Sequence, residues 1–235
     1  MASIHDNLQA VRQRIAHAAR AAGRDPRSVT LLAVSKAHPA ARVEEALAAG
    51  QSAFGENYVQ EALEKMDLLR GRGIAPPESG IQWHLIGPLQ SIKTRLAAAR
   101  FDWVQTVASE RIAQRLSEQR PESLASLDIL LQVNISGEAT KSGILPDRIV
   151  PVARAASALP RLRLRGLMAV PEPGADAARY RELKRLYDTL RDEFRLDTLS
   201  VGTSDDLELA IAEGATLVRV GSAIFGARQK VRPAA

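Results

Sequence analysis

Eight short apolar segments rich in β-branched residues alternate with segments of helical periodicity along almost the whole 235-residue chain. Near-continuous apolar runs such as Ile129-Leu130-Leu131 are typical of parallel strands buried on both faces. The alternation predicts parallel β-α-β units, and eight of them favour a closed (β/α)8 barrel over the alternative, an open doubly wound sheet. The predicted strands cover residues 30–34, 53–55, 83–86, 103–106, 129–133, 165–169, 198–201 and 217–220.

Helical segments fill the intervals between the predicted strands. The longest spans 175–194, Ser109 is a predicted N-cap, and Gly50 is predicted to follow a helix at its C′ position. Ser204 is a second predicted N-cap, for a helix over 205–213. The other predicted helices cover residues 41–49, 59–69, 110–119 and 146 to about 160.

A further helix is predicted before the first strand, at about residues 3–22, where Leu8, Val11 and Ile15 recur at helical spacing. We expect residues 1–235 to form a single domain. No segment approaches the roughly 18 apolar residues of a membrane-spanning helix. Cysteine is absent and the N-terminus has no apolar signal core, so we expect a cytoplasmic protein.

Charge and motif content narrow the classes of partner. The formal net charge of +5 comes from 32 basic against 27 acidic residues that are spread along the chain, which predicts no nucleic-acid partner. The four histidines lack metal-ligand spacing, and we expect no metal. No P-loop, Gly-x-Gly-x-x-Gly or Gly-x-Ser-x-Gly motif occurs. No coiled-coil seam is evident, and we expect a monomer.

Lys36 is the first candidate site residue, because it directly follows the first predicted strand. Active sites of barrels lie at the carboxyl ends of the strands. A partly desolvated lysine there has a lowered pKa, and its amine can attack a carbonyl carbon. A surface lysine at the start of a loop is the alternative interpretation.

The last two predicted strands each lead into a glycine followed by hydroxyl residues. These are Gly202-Thr203-Ser204 after strand seven and Gly221-Ser222 after strand eight. Backbone amides at such turns bind phosphate, and barrels often build a phosphate site from these two loops. Two ordinary loops with capping serines are the alternative.

Four further residues are candidates for contact with a ligand. Arg219 lies inside an apolar strand, where it must be paired, so it contacts either a ligand or a structural partner. Asn57 follows the second strand and could offer its amide to a phenolic oxygen. His84 and Met168 lie within predicted strands and are possible members of the pocket, although core packing is the alternative for both.

These segments together resemble the family of pyridoxal-phosphate homeostasis proteins, also known as the YggS/PROSC (PLPBP) group. The resembling motifs are AVSK at 33–36, FGENYVQE at 54–61, WHLIGPLQ at 83–90, QVNIS at 132–136, KSG at 141–143, GLM at 166–168 and RVGSAIFG at 219–226. They span almost the whole chain. The resemblance implies a barrel like the N-terminal domain of alanine racemase, which is fold type III among pyridoxal 5′-phosphate (PLP) proteins.

The resemblance also implies the roles of individual residues. Lys36 would hold PLP covalently as a Schiff base, Asn57 would lie near the ring, and Arg219 would approach the pyridine nitrogen. The phosphate would be held by Thr203, Ser204, Gly221 and Ser222. The chain departs from the family pattern in three places: VGTS at 201–204 stands where a run like Met-Gly-Met-Ser is expected, Ile92 replaces a frequent asparagine, and Ser222 replaces a common threonine.

The implied function is vitamin B6 homeostasis, with PLP and apo PLP-dependent enzymes as partners and at most weak residual PLP chemistry. An arginine at the pyridine nitrogen can only donate, so that nitrogen stays unprotonated and is a weak electron sink. The first alternative is an amino-acid racemase of the same fold, which needs a second acid/base group; we expect no second domain to supply it. The other is an aldolase-like barrel enzyme that attacks a phosphorylated substrate through Lys36.

Overall fold

A computed structural model describes residues 2–227 except Pro77 and Ala139. In this part of the chain, eight parallel strands close into a barrel in the order in which they occur in the sequence. The first strand pairs with both the second and the eighth, which closes the ring. The predicted (β/α)8 barrel is therefore confirmed. The strands are β1 Thr30–Val34, β2 Ala53–Glu56, β3 Gln82–Leu85, β4 Trp103–Val107, β5 Leu127–Val133, β6 Leu162–Ala169, β7 Thr198–Ser200 and β8 Leu217–Val220.

The helices follow the predicted alternation, with some changes at their ends. In the described residues they are α1 Ile4–Ala21, α2 Ala40–Ala48, α3 Val59–Gly71, α4 Thr94–Arg100, α5 Glu110–Gln119, α6 Ile149–Ser157, α7 Ala177–Phe194, α8 Leu207–Ala212 and α9 Ser222–Phe225. The Ser109 cap and the Gly50 terminus are confirmed, the latter with φ +77°. The prediction that Ser204 caps a helix from 205 is wrong, since α8 begins at Leu207 after Asp206.

Helix α1 packs across the outside of the barrel against α8, α9 and α2. It begins with a capping box, in which Ser3 and Asp6 each accept a hydrogen bond from the other's backbone N–H. Its buried side is the predicted apolar stripe, which includes Leu8, Val11 and Ile15. None of the helices in the described residues is long and apolar enough to cross a membrane.

Three planar groups lie together at the amino-terminal end of the barrel. The Arg165 guanidinium lies 4.7 Å from the centre of the Trp103 ring, and the His84 ring stacks on Trp103 with a centroid distance of 5.0 Å and an interplanar angle of 11°. Arg165 also pairs with Asp128 and Asp197 at 2.8 and 2.6 Å. The ion pairs and the stacked rings line a cavity of about 370 Å³ at this end.

Candidate functional site

A cavity of about 540 Å³ lies at the carboxyl ends of the strands. This is the end at which barrel enzymes place their active sites. The cavity brings together seven residues that the sequence predicted for one site: Lys36, Asn57, Thr203, Ser204, Arg219, Gly221 and Ser222. They follow β1, β2 and β7 or lie on or after β8, and they share the cavity because parallel strands all end on the same face.

Lys36 is half-buried and directly follows Ser35, which is fully buried at the end of β1. The next residue, Ala37, has a left-handed φ of +60°, an unfavourable conformation for a residue with a Cβ atom. The chain therefore leaves β1 through a strained turn, and Lys36 lies at the point where this turn begins.

Arg219 is 6% exposed and lies in β8 with its guanidinium inside the barrel. Nη1 donates to Ser200 Oγ at 2.8 Å, and Nη2 donates to the Ala169 carbonyl at 2.9 Å. Burial lowers the pKa of Arg219 to about 10, although Asp206 and Tyr180 nearby oppose this shift. A pKa of about 10 still leaves Arg219 protonated at neutral pH. It therefore presents a fixed positive charge and only hydrogen-bond donors to the cavity.

A chain of hydrogen bonds leads from Arg219 to His84, and each group in it donates to the next. The Ser200 hydroxyl accepts from Arg219, so it donates to Gln105 Oε1 at 2.7 Å. The Gln105 amide nitrogen then donates to His84 Nδ1 at 3.0 Å. His84 is therefore the neutral tautomer with its proton on Nε2. Burial, with a smaller contribution from Arg165, lowers the pKa of His84 to about 3, which agrees with a neutral ring.

His84 and Met168 do not line the cavity, unlike the other candidate residues. His84 belongs to the stack at the opposite end of the barrel and reaches Arg219 only through Gln105 and Ser200. Met168 is fully buried and packs with Trp103 and Leu130 in the barrel interior. Both side chains are buried, and their contact with a ligand stays a prediction.

The loop after β7 is organised by Asp206, a residue that the sequence did not single out. The Asp206 carboxylate accepts hydrogen bonds from the Thr203 N–H and hydroxyl at 2.6 and 2.7 Å, and from the Tyr180 hydroxyl. Burial on its own would raise the pKa of Asp206, but these hydrogen bonds outweigh burial and lower it. Thr203 therefore lines the cavity while both of its donors serve the loop.

Two close approaches of the backbone also shape the site. A Cβ atom on Gly202, which has φ +99°, would lie 2.5 Å from Ala210 Cβ. A Cβ atom on Gly87 would lie 2.1 Å from the Asn57 carbonyl oxygen. Glycine at these positions lets the β7 loop fold onto α8, and lets the loop after β3 press against the backbone of Asn57.

Similarity to known proteins identifies the structural class to which this chain belongs. The family model described as alanine racemase, N-terminal domain, matches residues 7–229. The alanine racemase of Corynebacterium glutamicum shares the fold, with a TM-score of 0.65 at 20% identity over 97% of this chain and 63% of that one. At that identity the likeness concerns the fold alone.

Closer relatives define the family within this class. The pyridoxal phosphate homeostasis protein of Pseudomonas aeruginosa is 55% identical and covers 100% of both chains. The protein of that name from Escherichia coli is 49% identical over 97% of this chain and 98% of its own. The structure of PipY from Synechococcus elongatus with PLP bound has a TM-score of 0.80 at 37% identity, covering 95% of this chain and 100% of that one. The chain belongs to the family of pyridoxal phosphate homeostasis proteins.

Proposed function

We propose that this protein binds PLP in the cavity at the carboxyl end of the barrel and acts in the homeostasis of that cofactor. The observation that carries the proposal is the convergence of a lysine amine, a buried cation and two glycine-hydroxyl loops on one cavity of about 540 Å³. The amine of Lys36 is the group that an aldehyde requires for a Schiff base. The binding of PLP by PipY and the names of the relatives support the same function.

The residues of the cavity fit the chemical parts of PLP. Ser204 and Ser222, with the backbone at Gly221, would hold the phosphate, since backbone amides and hydroxyls are its usual donors. Asn57 would face the ring, and Arg219 would donate to the pyridine nitrogen. Thr203 would support the phosphate loop through Asp206 rather than donate to the phosphate itself.

The state of Arg219 favours holding over amino-acid chemistry. PLP supplies an electron sink to enzymes when its ring nitrogen is protonated. Arg219 is protonated and held by Ser200 and Ala169, so it offers that nitrogen a donor and no acceptor. This residue therefore opposes protonation of the ring and leaves the Lys36 linkage as the main role of the site.

The finer assignments belong to the same proposal. We propose a cytoplasmic monomer in which residues 1–235 form one domain and which supplies PLP to apo PLP-dependent enzymes. The absence of cysteine fits a reducing compartment. A trap experiment tests the supply: the loaded protein is mixed with an apo-enzyme and a scavenger of free PLP. Activation despite the scavenger supports direct transfer, whereas loss of activation contradicts it.

The covalent linkage is tested by the absorbance spectrum of the purified protein after incubation with PLP. We expect a Schiff-base band in the wild type and its loss in Lys36→Ala. Borohydride reduction followed by peptide mass analysis should place the modification on Lys36. Lys184→Ala is the matched control, since Lys184 lies on the outer helix α7 in an ion pair with Asp188. A band that survives Lys36→Ala would contradict the assignment.

A further inference from the structure

Two charged side chains of α3 hold the two peptide groups that flank Lys36. The Lys65 ammonium donates to the Ser35 carbonyl at 2.8 Å, and this carbonyl belongs to the peptide that enters Lys36. The Ala37 N–H, in the peptide that leaves Lys36, donates to Glu61 Oε1 at 2.5 Å. Because these two peptides define the backbone angles of Lys36, they set the direction in which its side chain leaves the chain.

Behind this contact lies a buried ion pair. Lys65 is 4% exposed, and its Nζ lies 2.5 Å from an oxygen of the fully buried Glu56. The same oxygen accepts from the Ser35 hydroxyl at 2.6 Å. A buried ion pair is a poor source of stability, because desolvation offsets the attraction between its charges. Both members of the pair contact Ser35, the residue before Lys36, which indicates that the pair fixes the backbone at this point instead.

Glu61 contacts the backbone of Ala37, whose conformation is strained. A φ of +60° is unfavourable for alanine and persists only where the surroundings impose it. The hydrogen bond from the Ala37 N–H to Glu61 stabilises this conformation. Glu61 and Lys65 are four residues apart on α3, so one face of one helix reaches both sides of Lys36.

We infer that Glu61 and Lys65 are positioning residues that hold Lys36 in the orientation needed for its amine to react in the cavity. The inference rests on the proposed Schiff base at Lys36. It assigns a role to two charged residues of α3 that do not line the cavity.

The test is the rate at which PLP becomes linked to the protein, trapped with borohydride at successive times. In Glu61→Ala we expect a rate about 10 to 100 times lower than in the wild type, because a small misplacement of a reacting group has an effect of this size. Glu61→Gln keeps an acceptor for the Ala37 N–H, and we expect it to recover part of the rate. Glu64→Ala is the matched control: it removes an exposed carboxylate from the same helix and should react like the wild type.

Relief of the strain gives a second, independent variant. Glycine adopts φ +60° without penalty, so we expect Ala37→Gly to restore much of the rate in the Glu61→Ala background. For Lys65 the variant is Lys65→Met combined with Glu56→Gln, which leaves no unpaired buried charge. We expect this double variant to fold and to react at least about ten times more slowly.

The outcomes separate the inference from the proposed function. If the wild type forms no linkage to Lys36, the proposed function is wrong. If the wild type is linked but Glu61→Ala and the Lys65–Glu56 double variant react at the wild-type rate, only the positioning role is wrong. The positioning role would also be contradicted if the Ala37→Gly/Glu61→Ala double variant reacted as slowly as Glu61→Ala alone.

Discussion

Because His84 is buried, we expect the free energy of unfolding of the protein to fall at mildly acidic pH. The pKa of this residue is lowered from 6.5 to about 3 in the folded protein, first by burial and then by Arg165. Folded His84 therefore stays neutral between pH 8 and pH 5, whereas the unfolded chain takes up a proton below about pH 6.5. The unfolded state gains stability from that proton, so the free energy of unfolding falls as the pH falls.

The size of the effect follows from the proton that only the unfolded chain binds. For an unfolded pKa of 6.5 and a folded pKa of about 3, the free energy of unfolding decreases by about 2 kcal/mol between pH 8 and pH 5. Neutral His84 accepts from Gln105 through Nδ1, and a proton at that atom would abolish this contact. The structure offers the bound proton no compensating acceptor at Nδ1.

Urea unfolding at pH 8 and pH 5 measures this change. His84→Asn places a carbonyl oxygen near the position of Nδ1 and cannot titrate, so its loss of stability between the two pH values should be about 2 kcal/mol smaller than that of the wild type. The variant loses the stack on Trp103 and is less stable at both pH values. His17→Asn, on the exposed side of α1, is the control. Equal pH dependence in wild type and His84→Asn would refute the argument.

Two other substitutions test the interior of the site. Ser200→Ala removes the acceptor of Arg219 Nη1, and we expect a loss of about 1.5–3 kcal/mol in urea unfolding, as for a hydrogen bond to a charged group. Ser200→Thr, which keeps the hydroxyl, should lose less, and an Ala variant as stable as the Thr variant would contradict this. Gly87→Ala puts a Cβ atom 2.1 Å from the Asn57 carbonyl oxygen, so we expect weaker PLP binding by titration; unchanged affinity would show that Asn57 does not depend on this packing.

The sequence predicted the barrel because each strand carries its own signal. A parallel strand that is buried on both faces is apolar on both, and the run Ile129-Leu130-Leu131 of β5 shows this in three residues. Short helices were harder to predict. The helix α4, Thr94–Arg100, was not predicted, because its seven residues hold too little periodicity to stand out. The start of α8 was misplaced because Ser204-Asp205 has the pattern of a cap, while Asp206 uses its carboxylate for Thr203.

The grouping of seven site residues was also predictable, because residues that end parallel strands share one face. The contacts among buried side chains were not. Ser200 and Gln105 are 95 residues apart in sequence, and no local pattern indicates that their side chains meet. Whether His84 would line the cavity depended on its depth in β3, where it pairs with Trp103 of β4. Such depth is set by strand register, which composition does not encode.

The two ends of the proposed ligand are supported by different parts of the molecule. Arg219 is held by hydrogen bonds to Ser200 and Ala169 inside the barrel, at the inner wall of the cavity. The phosphate end would depend on Gly221 and Ser222 after β8 and on the loop that Asp206 organises, which is anchored from outside by Tyr180 and by Arg14 of α1. In the proposed site, the barrel interior would hold the ring nitrogen, whereas the phosphate would depend on two loops, one of which is tied to the outer helices α1 and α7.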